Sequence, residues 1–337
     1  MRRRATRLGS VLMLVLVALP TSFTAQKNEE NKAKGDVVDR PAVIWRDPGD
    51  IASLNLFYGA GGKGHAPDPN ATFTFVSEDM QATTPKFDVE DEQGIVWKVK
   101  LGEEAEAETA ATRFLWAAGY FVDEDYYLAE IKVTGVPKLH RGENLVSPDG
   151  TVHRARLERK PTAVKKVGLW DWFDNPFLGT RELNGLRVMM SLLNNWDLAQ
   201  TNNSIEDVGG DRIYLVTDVG ATFGSTGNSM TRSKSVPKDY ADSAFVEKMT
   251  PDFIDFVLHS RPFFASAINI PNYRDRTRME QVTKHIPRAD AKWLGRRLSL
   301  LSEEQIRDGF RAAGYTNEDL EIYTQAMRKR IAELGAL

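Results

Sequence analysis

Two short runs near the middle of the chain constrain its fold more than any other feature. Asn195-Trp196-Asp197-Leu198-Ala199-Gln200-Thr201-Asn202 is followed by Tyr214-Leu215-Val216-Thr217-Asp218-Val219-Gly220. Asp197 and Asn202 stand in a polar loop just after an amphipathic helical stretch, Arg181 to Asn194, which carries Leu183, Leu186, Met189, Met190 and Leu193 on one face. Asp218 ends an apolar strand bearing Ile213, Leu215 and Val216. An acidic residue there is costly unless it binds a cation or caps a turn. The 21 residues from Asp197 to Asp218 suit a β-hairpin between the two loops. A helix cap, an Asx turn or a plain Asp-x-Gly turn is the structural alternative for the same residues.

Upstream, residues Leu54 to Val136 are rich in strands. Phe73-Thr74-Phe75-Val76, Lys86-Phe87-Asp88-Val89 and Ile95-Val96-Trp97-Lys98-Val99-Lys100 alternate sides, and Glu92-Gln93-Gly94 predicts a hairpin turn between the last two. Glu103 to Ala118 follows as a helix with Ala107, Ala111, Phe114, Leu115 and Ala118 at helical spacing and Gly119 where a C-cap falls. Another strand covers Tyr127 to Val133. Residues 137–166 read as a polar insertion with a turn at Pro148-Asp149-Gly150 and a basic strand from His153 to Lys160. From Thr250 onward about four helices are expected, and Ser302-Glu303-Glu304-Gln305 and Thr316-Asn317-Glu318-Asp319 carry helix-start patterns.

The chain has 337 residues, 42% of them apolar and 27% charged, and a formal charge of −3. That is ordinary for a globular protein and gives no sign of nucleic-acid or general membrane binding. It has no cysteine, which excludes disulfides, thiolate metal sites and cysteine nucleophiles. Its histidines (His65, His140, His153, His259 and His285) show no paired ligand spacing for zinc, and no Gly-x-Ser-x-Gly elbow is present. At the N-terminus, Arg2-Arg3-Arg4 and Arg7 precede an apolar run from Val11 to Leu19, shorter than the roughly 20 residues of a spanning helix. Residues 1–25 are therefore expected to be a signal peptide and the protein periplasmic or secreted, with no membrane span after its removal. Phe23 makes an imperfect cleavage site, and an uncleaved anchor is the alternative. Residues 26–48 read as a flexible, charged leader.

Taken together, these pieces resemble the protein-kinase-like superfamily in its atypical branch, which includes HipA-type, lipid-kinase-type, spore-coat CotH-type and secreted Golgi casein-kinase-type enzymes. The signals are a strand lysine, a glutamate on the next helix, Asp197-Leu198-x-x-x-Asn202 after a helix, and Asp218-Val219-Gly220 after a strand. Asn195-Trp196 stands where many kinases have His-Arg, and Val219 where they have Phe. The resemblance implies an α+β, two-lobed fold: residues 49–136 a small β-rich N-lobe with one long helix, residues 167–337 a larger, mostly helical C-lobe.

It also implies the site. Lys100 would bind nucleotide phosphates and Glu108 would hold Lys100. Asp197 would orient or deprotonate the accepting hydroxyl, and Asn202 and Asp218 would bind Mg2+ or Mn2+. Lys98 shares the face of Lys100, which is preferred because it adjoins the helix start. Glu103, Glu104, Glu106 and Glu108 also suit a helix N-terminus through its dipole. Gly59, Gly61 and Gly62, within Gly59-Ala60-Gly61-Gly62-Lys63-Gly64, offer backbone N–H groups for a phosphate, or form a plain surface loop. Residues 220–239 sit where an activation segment would.

The expected function is thus an exported kinase-like phosphotransferase using ATP and a divalent metal. Its acceptor would be a protein, glycan or small molecule. A non-catalytic, pseudokinase-like binding protein of the cell envelope is the alternative. The aromatic run Trp170, Trp172, Phe173 and Phe177 reads as packing, with glycan stacking as the sharper possibility.

Overall fold

Strict alternation in Val96–Leu101 puts Trp97, Val99 and Leu101 on one side and Lys98 and Lys100 on the other, and the architecture is built around that division. The computed structural model describes residues 40–80, 84–160, 164–226, 232–258 and 270–337. The expected signal peptide, and the leader up to residue 39, lie outside the described residues.

The first strand, β1 (Ala42–Val43), pairs in parallel with a strand far along the chain, as described below. Next come β2 (Thr72–Glu78), β3 (Lys86–Glu90), β4 (Val96–Leu101), helix α1 (Glu103–Ala117), β5 (Asp125–Thr134) and β6 (Thr151–Arg159). The five strands β2 to β6 close into a barrel in the order β2-β3-β4-β6-β5. Phe73, Phe87, Val89, Trp97, Val99, Leu101, Val152 and Leu157 belong to its core. On the outer face, Lys86, Lys100, Arg156 and Tyr127 stand in one row across β3, β4, β6 and β5. Helix α1 covers this row. Its alanines Ala105, Ala107, Ala110 and Ala111 are fully buried, and their small size lets the helix lie close to the strands.

The second region contains β7 (Lys165–Gly168), α2 (Arg181–Leu192), β8 (Asn203–Val208) and β9 (Asp211–Val216). A four-stranded sheet runs β1-β9-β8-β7, with β8 and β9 forming the expected hairpin. Then follow α3 (Pro237–Asp242), β10 (Val246–Met249), β11 (Phe253–Phe256), α4 (Ile270–Gln281), β12 (Ile286–Pro287), α5 (Arg288–Leu298), α6 (Glu303–Arg311) and α7 (Asn317–Ala336). Both expected helix starts are capping boxes, Ser302 with Gln305 and Thr316 with Asp319. Among the described residues no helix is long and apolar enough to cross a membrane.

Three expectations change. Residues 151–159 are no insertion: β6 lies between β4 and β5 in the barrel. Its charged residues look solvated in the sequence, but Glu106, Glu108 and Asp125 neutralise them in the fold. Residues 40–48 are no loose leader either. Ala42 and Val43 pair with β9, and Trp45 donates its indole N–H to the Ala118 carbonyl at 2.8 Å and packs on Trp293. Finally, the stretch expected to be helical from Thr250 also contributes β11 and β12, which join β10 in a small antiparallel sheet.

The main core joins α1 to the later helices. Phe114, on the side of α1 away from the barrel core, meets Phe310 of α6 at 5.0 Å and Phe223 at 6.2 Å between ring centroids. Truncating it opens a cavity in a close-packed cluster. Phe114→Ala is expected to cost about 3–5 kcal/mol in urea unfolding. A cost below about 1 kcal/mol would show that this cluster does not anchor α1.

Candidate functional site

Lys100 reaches the surface of the barrel beneath the first two turns of α1 and is only 5% exposed. A lone ammonium in such a place is expensive, so partners are required. Its Nζ lies 2.6 Å from Glu108, 3.1 Å from Asp218 and 3.7 Å from Glu104. The alternatives among the acidic residues thus separate by position. Glu106 turns instead to Arg154, and Lys98 approaches Asp79 at 3.8 Å. Burial works against the Lys100 charge, but Glu108 and Asp218 outweigh it and hold its pKa above the usual lysine value.

Arg156 completes the buried network. It lies 3.2 Å from Glu108, 3.4 Å from Asp125 and 2.7 Å from Glu158, and is itself 2% exposed. Sequence reasoning missed this residue, although period two along β6 puts Arg154, Arg156 and Glu158 on the outer face. Burial pushes the Glu108 carboxyl up to about 7, against the pull of Arg156 and Lys100.

The loop with Asp197 and Asn202 is fixed from both ends. After α2, Asn194 takes a left-handed conformation (φ 54°). Its amide donates to the Gly224 carbonyl and to Ser243, both at 2.7 Å, and accepts from the buried Arg330 of α7 at 2.8 Å. Asn195 Oδ1 accepts the Asp197 backbone N–H at 3.0 Å, an Asx turn that aims the following residues. Asn202 Nδ2 donates to the Asp197 carbonyl at 3.0 Å. The Asp218 side of the hairpin closes on this loop: Thr217 N–H bonds to Asn202 O, Trp196 N–H to Ala221 O and Phe223 N–H to Leu193 O. The hairpin therefore sets the Asp197, Asn202 and Asp218 segments side by side, as their spacing predicted. Asn194, Asn195 and Arg330 had no signal beyond their residue types.

The two aspartates differ in environment. Asp197 is half-buried; burial raises its pKa, the Asp218 charge raises it further, and Asn202 counters both. Asp218 is held below the usual carboxylate value, because Lys100 overcomes the cost of its burial. Its side chain stays 45% exposed. Repulsion between two neighbouring carboxylates is what a shared cation relieves. Asp218 and the Asn202 amide offer hard oxygen atoms, the donors that suit Mg2+ or Mn2+. Among the described residues no group of three or more His, Cys, Asp or Glu is placed to hold a metal alone. Mg2+ commonly takes one or two carboxylates and fills its shell from phosphates and water.

The glycine loop packs on α1 and on the start of β5. A Cβ on Gly59 would lie 2.5 Å from Arg113, and one on Gly61 would lie 2.2 Å from the Tyr126 hydroxyl. Tyr126 also donates to the Gly62 carbonyl at 3.0 Å. Close approach to Arg113 of α1 and Tyr126 of β5 explains Gly59 and Gly61, whereas Gly62 has open space around it and takes a left-handed φ of 62°. Among the described residues, none of these contacts is to Lys100, Glu108, Asp197, Asn202 or Asp218.

The segment after Asp218 is tied down where it is described. Lys234 pairs with Glu104, and Ser235 bonds to Tyr315 at 2.7 Å. A cavity of about 790 Å³ lies beside the site, lined among others by Asp123, Glu158, Lys160, Glu206, Ile213 and Leu215. Leu215 is three residues before Asp218 on the same run of chain.

The raised Glu108 value sets a pH dependence. Between 4.5 and about 7 the native protein retains a proton that the unfolded chain has lost, so stability falls as pH rises across that window. Glu108→Gln, which cannot titrate, should flatten that fall by an amount on the order of 1–3 kcal/mol in urea titrations from pH 4 to 8. Equal slopes for the two proteins would exclude Glu108 as the titrating group.

No protein-family model matches the sequence, and no curated protein matches it either. Among solved structures, the chain is similar to the Helicobacter pylori proinflammatory kinase CtkA, at 12% identity and a TM-score of 0.45, over 80% of this chain and 98% of that one. It is also similar to the Golgi casein kinase, at 10% identity and a TM-score of 0.31, over 83% of this chain and 77% of that one. A Golgi casein kinase structure with Mn/ADP bound matches at 10% identity and a TM-score of 0.29, over 84% and 77%. Each of these three structures is a kinase, and residue roles in this chain rest on its own geometry.

Proposed function

We propose that this chain is an exported, protein-kinase-like phosphotransferase that uses ATP with Mg2+ or Mn2+. The barrel with α1 would form the small lobe and residues 167–337 the large one. One observation carries the reading. Lys100 on a strand, Glu108 on the next helix and Asp218 at the end of a distant strand meet at 2.6 and 3.1 Å, beside the Asp197–Asn202 loop.

In this reading Lys100 leaves Asp218 for the α- and β-phosphates, while Glu108, backed by Arg156, keeps its ammonium in place. Asp218 and the Asn202 amide oxygen hold the divalent ion. When bound there, the ion neutralises phosphate charge. Asp197 orients the acceptor hydroxyl and takes its proton; its raised proton affinity suits a base. The cavity of about 790 Å³ next to Leu215 is of the size that binds small ligands, and its carboxylates accept from an exocyclic amino group of the base. Export rests on the basic N-terminus followed by the apolar run, and N-terminal sequencing of the mature protein tests it by finding a start near Gln26.

A second reading, a non-catalytic envelope binding protein, draws on the direct Lys100–Asp218 contact, through which the two charges satisfy each other without a ligand.

Melting with and without nucleotide and Mg2+ separates the two. A nucleotide at 100 times its Kd should add about 2.7 kcal/mol of stability. Asp197→Ala should keep that gain and lower phosphate transfer by about 10²–10⁴-fold. Absence of any nucleotide or metal effect on melting would remove the phosphotransferase reading.

A further inference from the structure

Glu104, in the first turn of α1, holds two ammonium groups. Its Oε2 lies 3.7 Å from Lys100 and accepts from the Thr84 hydroxyl at 2.6 Å, while its Oε1 accepts from Lys234. One carboxylate therefore separates Lys234 from the lysine at the centre of the site. The two ammoniums differ in what they have left to give. Each carries three N–H donors. Lys100 faces three carboxylates, Glu108, Asp218 and Glu104, at 2.6, 3.1 and 3.7 Å. Lys234 donates to Glu104, and among the described residues no second acceptor meets it. Its side chain is 30% exposed, so the spare donors are open to a ligand.

The backbone holds Lys234 in that place. Ser235 N–H bonds to Thr222 O and Val236 N–H to Phe223 O, both at 2.9 Å, which sets the lysine against the chain leaving Asp218-Val219-Gly220. Ser235 has a left-handed φ of 57°, uncommon for a residue with a side chain, and its hydroxyl meets that of Tyr315 at 2.7 Å. On the other side, the Trp196 indole N–H donates to the Ser233 carbonyl at 3.1 Å, and Trp196 directly precedes Asp197. Lys234 thus sits between the Asp197 loop, reached through its neighbour Ser233, and the Lys100 cluster, reached through Glu104.

We infer that Lys234 is a second phosphate-binding group, whose ammonium meets the γ-phosphate during transfer. The inference rests on the phosphotransfer reading and adds a residue to its machinery. Under that reading Lys100 takes the α- and β-phosphates and Asp197 takes the acceptor proton. The γ-phosphate passes between those two groups, where Lys234 is held. Charge points the same way. Lys100, Arg156 and Lys234 stand against Glu104, Glu108, Asp197 and Asp218, so the site has no positive excess of its own. A triphosphate with one divalent ion is still an anion, and it draws a nearby cation that has donors unused. In the step itself the acceptor oxygen attacks the γ-phosphorus. The bond to the β,γ-bridging oxygen breaks, its electron pair leaves on ADP, and the acceptor proton passes to Asp197. Lys234 keeps its proton throughout and stabilises charge on the transferring oxygens.

The test compares ATP and ADP binding to the full chain with Mg2+ by calorimetry. Lys234→Met, which keeps the apolar stem and removes the charge, should weaken ATP about tenfold and ADP less than about twofold. Lys234→Arg should recover most of the lost ATP affinity. Glu104→Gln breaks the same ion pair but spares the ammonium, and it should tighten ATP, because a negative charge beside the triphosphate is gone. Equal weakening of ATP and ADP by Lys234→Met overturns the inference. So does equal weakening of ATP by Lys234→Met and Glu104→Gln, the mark of an ion pair that only fixes α1 against its neighbour. Both outcomes leave the phosphotransfer reading standing. Failure of the unsubstituted chain to bind either nucleotide refutes the inference together with that reading.

Discussion

A buried ammonium is the constraint on which the rest depends. Lys100 cannot remain charged under α1 without carboxylates to meet it, and the chain supplies them from three separate places: two turns of α1 and the end of β9. Satisfying that single group fixes the helix against the barrel and the barrel against the Asp218 turn. Arg156 extends the same logic one strand further, because Glu108 and Asp125 would otherwise be buried acids without enough opposing charge. Removing one member of such a network leaves its partners stranded, typically at 3–5 kcal/mol.

Around this network the loops are prepared rather than loose. Arg330, Asn194 and Ser243 clamp the exit of α2, Asn195 sets an Asx turn under Asp197, and the β8–β9 hairpin returns the chain so that Asp218 lies beside it. The buried Phe114, Phe223 and Phe310 rings join α1, the segment after Asp218 and α6 in one cluster. Packing and charge thus position the same elements from opposite sides of α1. Groups held this way need little reorganisation when a ligand arrives, which is the physical basis of electrostatic catalysis.

Much of this was legible in the sequence where the deciding interactions are local. Period two along β4 separated Lys100 from the barrel core, helical spacing brought Glu104 and Glu108 to one face of α1, and the interval from Asp197 to Asp218 announced a hairpin. What escaped depends on distant partners. The charges of β6 look solvated until Glu106, Glu108 and Asp125 are set beside them, so a barrel strand passed for an insertion. A two-residue strand such as β1 has no periodicity to read, and its place comes only from β9. The glycines at 59, 61 and 62 have the composition of an anion loop, but the crowding by Arg113 and Tyr126 that requires Gly59 and Gly61, and the left-handed backbone at Gly62, are invisible in one dimension.

In the proposed mechanism the Asp197–Asn202 loop and Asp218 share a cation with nucleotide phosphates held opposite Lys100. A crystal structure with a non-hydrolysable ATP analogue and Mn2+, using the anomalous signal of the metal, tests it most directly. The expected result is Mn2+ at about 2.1 Å from an Asp218 oxygen, with Asn202 in its shell and the Lys100 ammonium on the phosphates. Manganese bound elsewhere, or phosphates that leave Lys100 paired with Asp218, would contradict it.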